Sequence, residues 1–212
     1  MHMVRRISRW LIILLAVVGL SVIVAAVGFL ATGISAKSEP SAFEAAVATR
    51  LRSLATPSSA KKRPNPVPAG PEALEEGMSH WADHCASCHG NSGDGQTEMG
   101  RGLYPRPPNM RLPATQDLSD GTLFYIIEEG VKLTGMPAWG TGTPEGEEAS
   151  WKLVHFIRHL PKLTPEEIEK MEGMNPRSPE AADEEEQMRR FLEGEDPAPK
   201  PGAKPMKHGG HK

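Results

Sequence analysis

Two cysteines and one histidine in a short stretch are the residues of this chain best suited to chemistry. Residues 83–95 read DHCASCHGNSGDG, so two residues separate Cys85 from Cys88, and His89 follows directly. The chain has 212 residues and no other cysteine. Three kinds of site use this spacing: a redox-active dithiol, part of a zinc site, and the covalent attachment of haem c.

The first two kinds of site fit the surrounding sequence poorly. A thioredoxin-like dithiol lies beside a βαβ pattern, which is absent around residues 83–95. A structural zinc ion needs four tetrahedral ligands, and the histidines and cysteines here crowd into about one helical turn. Haem attachment fits better, because Cys85 and Cys88 can form thioethers at one porphyrin edge while His89 binds the iron.

A second iron ligand is expected from a distant segment that folds over the opposite face of the porphyrin. Methionine sulfur is a soft ligand of this kind. Among ten methionines, Met136 stands out because residues 133–140 read LTGMPAWG, where glycine and proline restrict an irregular backbone. Met99 and Met110 are reserve candidates in the long Gly- and Pro-rich segment 90–113.

Residues 72–160 resemble a single-haem class I cytochrome c domain. The resemblance rests on Gly77 and Trp81 before CASCH, on the loop LYPRPPNM, on the ligand loop TGMPAWG and on the last helix SWKLVHFIRHL. It covers less than half of the chain. It also implies that Gly77 lets the first helix of the domain cross the last closely, and that Trp81 packs against Phe156 or Trp151.

The resemblance assigns roles to individual side chains. Cys85 and Cys88 would attach one haem c covalently, and His89 and Met136 would be its proximal and distal iron ligands. A single CxxCH motif argues against a second haem. Four side chains are expected to bind or shield the propionates: Arg101, Tyr104, Arg111 and Trp139. Three prolines are candidates for the carbonyl that accepts the N–H of the proximal histidine, with the choice left open: Pro105, Pro107 and Pro108.

An apolar stretch near the start predicts a membrane anchor. Residues 11–31 contain Ser21 as their only polar residue and would span roughly 32 Å as a helix. Arg5, Arg6 and Arg9 precede it, so we expect a cytoplasmic N-terminus in a bacterial cytoplasmic membrane and a periplasmic haem domain. A cleaved signal peptide is the alternative, but its apolar region is typically shorter.

The predicted fold class is all-α, because no alternating strand pattern appears. The predicted segments are a transmembrane anchor over 1–36, an amphipathic helix over 37–56, a Pro-rich linker over 57–71, the haem domain over 72–160, short helices over 161–195 and a disordered Lys/Pro/His tail over 196–212. In a polyproline conformation the linker would reach at most about 45 Å and hold the domain clear of the lipid. The helices of 161–195 are expected to pack lightly.

Helical periodicity locates the elements inside these segments. In the haem domain it predicts helices over 72–89, 119–130 and 145–160, with no regular structure over 90–113. A capping box at residues 41–44 begins the amphipathic helix, whose apolar face could meet the membrane, the domain or a partner subunit. Two further helices are predicted after the domain, over 164–173 and 178–194.

Ligation of both iron faces predicts function. With His89 and Met136 in place, the iron cycles between two oxidation states with little rearrangement. We therefore expect a non-enzyme, a membrane-tethered carrier of single electrons, acting as a shuttle or as the haem subunit of a respiratory oxidoreductase complex. The alternatives are a catalytic or sensory haem domain whose Met136 is displaced by a small molecule, and a metal-binding module that uses the tail residues Met206, His208 and His211 to capture copper.

Charge indicates the kind of partner. Residues 72–160 contain 13 acidic and 6 basic side chains, which favours redox partner proteins with a basic docking surface. No nucleic-acid partner is expected. Two histidine pairs at helical spacing, His80 with His84 and His155 with His159, are interpreted as solvated helix faces, because no third metal ligand is evident.

Overall fold

The computed structural model describes residues 2–33, 35–176 and 179–194, and within these ranges the chain is helical and has no strand. The all-α fold class is confirmed. The predicted tail, with its copper ligands, lies outside the described residues. The helices are α1 (His2–Thr32), α2 (Ala42–Ala55), α3 (Ser58–Lys61), α4 (Pro71–His80), α5 (Ala86–His89), α6 (Glu98–Arg101), α7 (Pro113–Gln116), α8 (Asp120–Glu129), α9 (Pro144–His159), α10 (Pro165–Glu172) and α11 (Pro179–Leu192).

Helix α1 is long and apolar enough to cross a bilayer. Its segment Ser8–Ala31 has 24 residues and a mean hydropathy of 3.0, and none of it is buried against the rest of the chain. At 1.5 Å per residue it spans about 36 Å, somewhat more than the hydrocarbon core of a membrane. Its length and complete exposure fit a membrane anchor.

The domain is built on the crossing of α4 and α9. A Cβ added to Gly77 would lie 2.3 Å from the carbonyl oxygen of Lys152, so only glycine permits this approach. The rings of Trp81 and Phe156 pack 5.6 Å apart beside the crossing, so Phe156 is the partner of Trp81. The largest fully buried side chains form one core: Trp81, Trp151, Phe156, Leu153, Leu160, Met171 and Val154.

Helix α8 closes the core from another side. Ser119 begins the helix by accepting a hydrogen bond from the backbone N–H of Thr122 at 3.2 Å. The Phe124 ring stacks on Trp151 with centroids 4.0 Å apart. Arg158 of α9 donates from Nε to the Asp120 carboxylate at 2.9 Å, which fixes the start of α8 against α9.

The periodicity over 72–89 predicts one continuous helix, but the structure interrupts the helix. Residues Trp81–Cys85 form a π-helical turn between α4 and α5. The segment 90–113 also contains a four-residue helix, α6, that the sequence pattern did not predict. A helix of one turn is too short to show a periodic apolar pattern.

The Pro-rich linker packs against the domain, so the prediction of an extended spacer is wrong for it. A Cβ on Gly121 of α8 would lie 2.0 Å from the carbonyl oxygen of Ala60. The Arg63 guanidinium lies 4.6 Å from the Phe124 ring centroid, and Asn65 donates to the carbonyl of Trp151 at 3.1 Å. Cation–π contact and side-chain hydrogen bonds hold the segment against the domain.

Helix α2 contacts the domain through polar side chains and turns its apolar face outward. Ser41 caps the helix by accepting from the Glu44 N–H, although only this half of the predicted capping box forms. Glu44 Oε1 accepts a 2.6 Å hydrogen bond from the Tyr104 hydroxyl. Phe43 and Leu54 are 80% and 66% exposed. The domain therefore does not cover the apolar face of α2.

Helix α10 packs into the core, which corrects the expectation of light packing after residue 161. Thr164 and Glu167 form a reciprocal capping box at its start. Met171 is fully buried against the domain core. Lys170 also contacts Glu75 of α4. The capping signature in the sequence marks where α10 begins, but it does not reveal which face the helix buries.

Candidate functional site

One cavity brings together the four residues predicted to hold the cofactor. Its volume is about 190 Å³, and Cys85, Cys88, His89 and Met136 all line it. Most of the remaining wall is apolar and comes from α8, α9 and the segment 103–110. The apolar lining residues include Leu103, Leu118, Leu123, Ile126, Ile127, Val131, Leu153 and Ile157.

The π-helical turn and α5 together position the cysteines and the histidine. Trp81 begins the π turn and is fully buried, and its carbonyl accepts from the N–H of Ala86 five residues later. Such turns are rare and often lie at functional sites, because the extra residue changes the face that later side chains occupy. Helix α5 then ends at Gly90, whose φ of 75° is a conformation that favours glycine.

The free carbonyls at the end of α5 are satisfied by the loop that follows. The Gly95 N–H donates to the His89 carbonyl at 2.8 Å, and the Thr97 hydroxyl donates to the Cys88 carbonyl at 3.1 Å. The Gly90 carbonyl accepts from the indole N–H of Trp81 at 3.1 Å. These bonds fix the backbone of the CxxCH segment, as a helix end requires.

His89 has the properties of a neutral metal ligand. Burial lowers the pKa of its imidazole to about 4, so the ring is uncharged at neutral pH and keeps a lone pair. Its Nδ1 atom is buried and has no hydrogen-bond partner among the described residues. Pro105, Pro107 and Pro108 all line the cavity, yet none of their carbonyls bonds to this nitrogen.

The two cysteines are thiols and are not joined by a disulfide bond. Burial, and to a lesser extent the neighbouring Cys88, raises the pKa of Cys85 to about 12. A redox-active dithiol needs the opposite shift, since the thiolate is the reactive form. Cys88 Sγ donates to the sulfur of Met99 at 3.4 Å, so Met99 lies beside the cysteines.

The Met136 loop is tied to the end of α8. The Val131 N–H donates to the Met136 carbonyl at 3.1 Å, and the Met136 N–H donates to the Thr134 hydroxyl at 3.1 Å. Leu133 has a φ of 63°, which is uncommon for a residue with a side chain. The Trp139 N–H donates to the Ile127 carbonyl at 3.0 Å. Backbone hydrogen bonds of Val131 and Trp139 therefore fix the loop on both sides of Met136.

The side chains expected around the cofactor are not all at the cavity. Trp139 lines it and stacks on His84 with centroids 5.3 Å apart, joining the methionine loop to the cysteine segment. Tyr104 and Arg111 do not line the cavity, and Tyr104 instead bonds to Glu44. Arg101 donates to the carbonyl of Gln96 and also lies outside the lining.

Two arginines in the lining were not predicted from the sequence. Arg52 reaches the cavity from α2, and Arg106 reaches it from the loop before α7. Arg106 lies in the loop LYPRPPNM, where Tyr104 was favoured, as was Arg111 directly after the loop. Arg52 had no signal in the sequence, because its approach depends on how α2 packs against a domain that begins later in the chain.

The histidine pairs contact other parts of the fold rather than forming solvated helix faces. His155 Nε2 lies 2.8 Å from the Val67 carbonyl, and His159 Nε2 lies 2.9 Å from Glu167 Oε1. The His80 and His84 rings pack edge to face at 4.8 Å. Within the ranges described, no group of three or more His, Cys, Asp or Glu side chains could hold a metal ion.

The donor set of the cavity fits haem c. The thiols of Cys85, in the π-helical turn, and of Cys88, in α5, can form thioethers, and a neutral imidazole and a methionine thioether can each bind iron. The buried Nδ1 of His89 and the apolar walls agree with a large flat cofactor whose proximal ligand approaches from α5. A zinc ion would need further ligands that the described part of the chain does not provide.

Comparison with known families supports this assignment. Residues 72–157 match the family model described as cytochrome C oxidase, cbb3-type, subunit III, which covers less than half of the chain. No curated protein matches the chain. The matched range contains the CxxCH motif, the methionine loop and the crossing of α4 and α9. The chain therefore carries a class I c-type cytochrome domain, a haem-based electron-transfer module, behind an N-terminal helix that fits a membrane anchor.

Proposed function

We propose that this protein is a membrane-tethered cytochrome that passes single electrons through one haem c, bound to Cys85 and Cys88 and ligated by His89 and Met136. The observation that carries the proposal is that all four side chains line one apolar cavity. Bound haem would supply a one-electron iron couple. The protein would fix the two ligands, exclude water from the apolar walls and attach the cofactor permanently.

The tether and the respiratory role form part of the same proposal. The apolar segment Ser8–Ala31 would hold the domain at the membrane surface, with the arginine-rich N-terminus in the cytoplasm. The matched family is described as a subunit of a cytochrome oxidase. We infer that the redox partners are membrane complexes or their soluble substrates, and that the protein acts as a shuttle or as a haem subunit of such a complex.

Intact-mass measurement of the full chain, purified from membranes in detergent, tests the proposal. The wild-type mass should exceed the polypeptide mass by one haem, and the band should stain for covalent haem on a denaturing gel. The double variant Cys85→Ala/Cys88→Ala should lose both signals. Asp83→Asn, which changes an exposed residue two positions before Cys85 that does not line the cavity, should retain them. A wild-type mass with no added group would overturn the proposal.

A further inference from the structure

Two arginines lie in the wall of an otherwise apolar cavity. Arg52 and Arg106 both line it, and no aspartate or glutamate does so within the described ranges. Burying a guanidinium beside apolar surface is costly unless an anion pairs with it. Arg106 has Glu39 as an anionic partner in the protein, whereas Arg52 has no described carboxylate partner, so the cavity is matched to an occupant with an apolar body and a negatively charged group near Arg52.

Arg106 has a donor with no acceptor in the protein. Its Nη1 donates to Glu39 Oε1 at 2.9 Å, and its Nη2 donates to the Lys37 carbonyl at 3.3 Å. Its Nε is buried and has no hydrogen-bond partner among the described residues. Buried donors without an acceptor are rare in folded proteins. Arg106 thus lines the cavity with a guanidinium whose hydrogen-bonding capacity the described residues do not fully use.

Arg52 comes from outside the matched cytochrome domain. It lies on α2, and no described carboxylate forms an ion pair with its guanidinium. Two contacts hold this part of the chain against the domain, one from Glu39 to Arg106 and one from Glu44 to Tyr104. These contacts fix the segment 39–52 so that Arg52 reaches the cavity.

We propose that Arg52 and Arg106 bind the carboxylates of the bound haem, so that the segment before the cytochrome domain completes the haem site. This inference rests on the proposed function, because it takes haem as the occupant. Arginine suits the role, since its planar guanidinium donates two parallel hydrogen bonds to a carboxylate and stays protonated. A positive charge near the haem also favours the reduced state, which carries one positive charge fewer.

The test is a redox titration of the full-length protein in detergent, after intact-mass measurement has confirmed covalent haem in every variant. Arg52→Gln should lower the equilibrium constant for reduction about tenfold, the loss expected when a partly buried charge-assisted contact is removed. Arg52→Lys keeps the charge and should recover most of that loss. Arg50→Gln is the matched control, because Arg50 lies on the same helix, is exposed and does not line the cavity.

Arg106 gives an independent second comparison. Arg106→Gln should lower the same equilibrium constant, whereas Arg101→Gln should not, because Arg101 lies outside the cavity lining. Equal redox behaviour of Arg52→Gln and Arg50→Gln, whether both shift or neither does, would overturn the role of Arg52. Absence of haem from the wild-type mass would instead remove the proposed function, so the two failures are distinguishable.

Discussion

Two methionines line the cavity, and the structure distinguishes them by their surroundings. Met136 lies in a loop whose backbone is bonded to Val131 and Thr134 and which runs on directly from α8. Met110 packs against the hydrophobic core, and its N–H donates to the Gly93 carbonyl at 2.8 Å. Met110 therefore has a packing role in the core, and the proposed function assigns the iron to Met136.

Replacing Met136 or Met110 by leucine distinguishes iron ligation from core packing. Met136→Leu should keep the haem attached but lower its reduction potential, on the order of 0.1 V, because thioether ligation stabilises ferrous iron. The weak absorption band of methionine-ligated ferric haem should disappear as well. Met110→Leu, a volume-conserving change, should leave the potential and the band unchanged. Spectroelectrochemistry measures both properties. A lower potential and a lost band in Met110→Leu, with neither change in Met136→Leu, would assign the iron ligand to Met110.

Sequence patterns identify site residues whose signal is local, and the structure places these residues at one cavity. Cys85, Cys88 and His89 lie within five consecutive residues, at the end of the π-helical turn and in α5, so their spacing limits the kinds of site they can form. Arg52 reaches the cavity only because α2 packs on the domain, and that contact leaves no periodic or spacing signal. The resemblance placed Tyr104 near the cofactor, whereas its hydroxyl bonds to Glu44 of α2.

At the scale of elements, the crossing of α4 and α9 depends on one glycine. A Cβ at Gly77 would meet backbone atoms of Lys152, at 2.3 Å from the oxygen and 2.9 Å from the carbon, so the helices would have to separate. Gly77→Ala should lower the free energy of unfolding by about 2 kcal/mol, although alanine is the better helix former. Urea titration followed by tryptophan fluorescence measures this change.

Gly70→Ala is the control for Gly77→Ala. Gly70 precedes α4, has an extended backbone with φ of −174°, and has open space where a Cβ would lie. Its replacement should change stability by less than about 0.5 kcal/mol. If Gly77→Ala were as stable as Gly70→Ala, close helix contact would not be what this position requires.

The capping box of α10 should make stability depend on pH. Partial burial raises the pKa of the Glu167 carboxyl, but hydrogen bonds from the Thr164 N–H and from His159 outweigh it, so the pKa lies below its usual 4.5. The stabilisation of the fold by Glu167 is therefore complete above the pKa that this carboxyl has in the unfolded chain. It is lost as pH falls through the pKa of the carboxyl in the folded protein.

Glu167→Gln should remove the part of the pH dependence of stability that comes from this carboxyl. At neutral pH the variant should be less stable by roughly 0.5–1 kcal/mol, because a capping carboxylate and its contact with His159 are lost. The difference in melting temperature from wild type should narrow between about pH 5 and pH 3. Glu166→Gln, in the same first turn but exposed, should show no such narrowing. A difference in melting temperature between wild type and Glu167→Gln that stays constant with pH would contradict the assigned role of Glu167.

The helices were predictable where apolar periodicity and caps occur together, as in α8 and α9. The π-helical turn was not, because one extra residue inside a helix leaves the apolar pattern of the flanking turns nearly unchanged. The packing of α10 was also missed. Met171 is fully buried and Ile168 packs beside it, and two apolar residues in a short helix do not identify a core contact.

Over the whole molecule, the part of the chain before the cytochrome domain wraps around it. Residues 58–67 pack on α8 and α9, while α2 and the residues before it contact the loop around Arg106. Proline-rich composition predicted an extended spacer, since it is typical of polyproline linkers. Composition does not report the specific contacts of Arg63 and Asn65, which hold the segment against the domain.

The charge of the domain predicts how electron transfer responds to salt. Residues 72–160 have seven more acidic than basic side chains, 13 against 6, and bound propionates would add further negative charge. A cationic oxidant should therefore react with the reduced protein at a rate that falls as ionic strength rises, because screening shortens the Debye length to about 10 Å at 0.1 M salt. An anionic oxidant should show the opposite slope. Stopped-flow oxidation by a cationic cobalt complex and by ferricyanide measures the two slopes on the same sample, so neither depends on differences in protein stability. Equal slopes for both reagents would mean that the acidic surface lies away from the site of electron exit, and a basic partner surface would then no longer be expected.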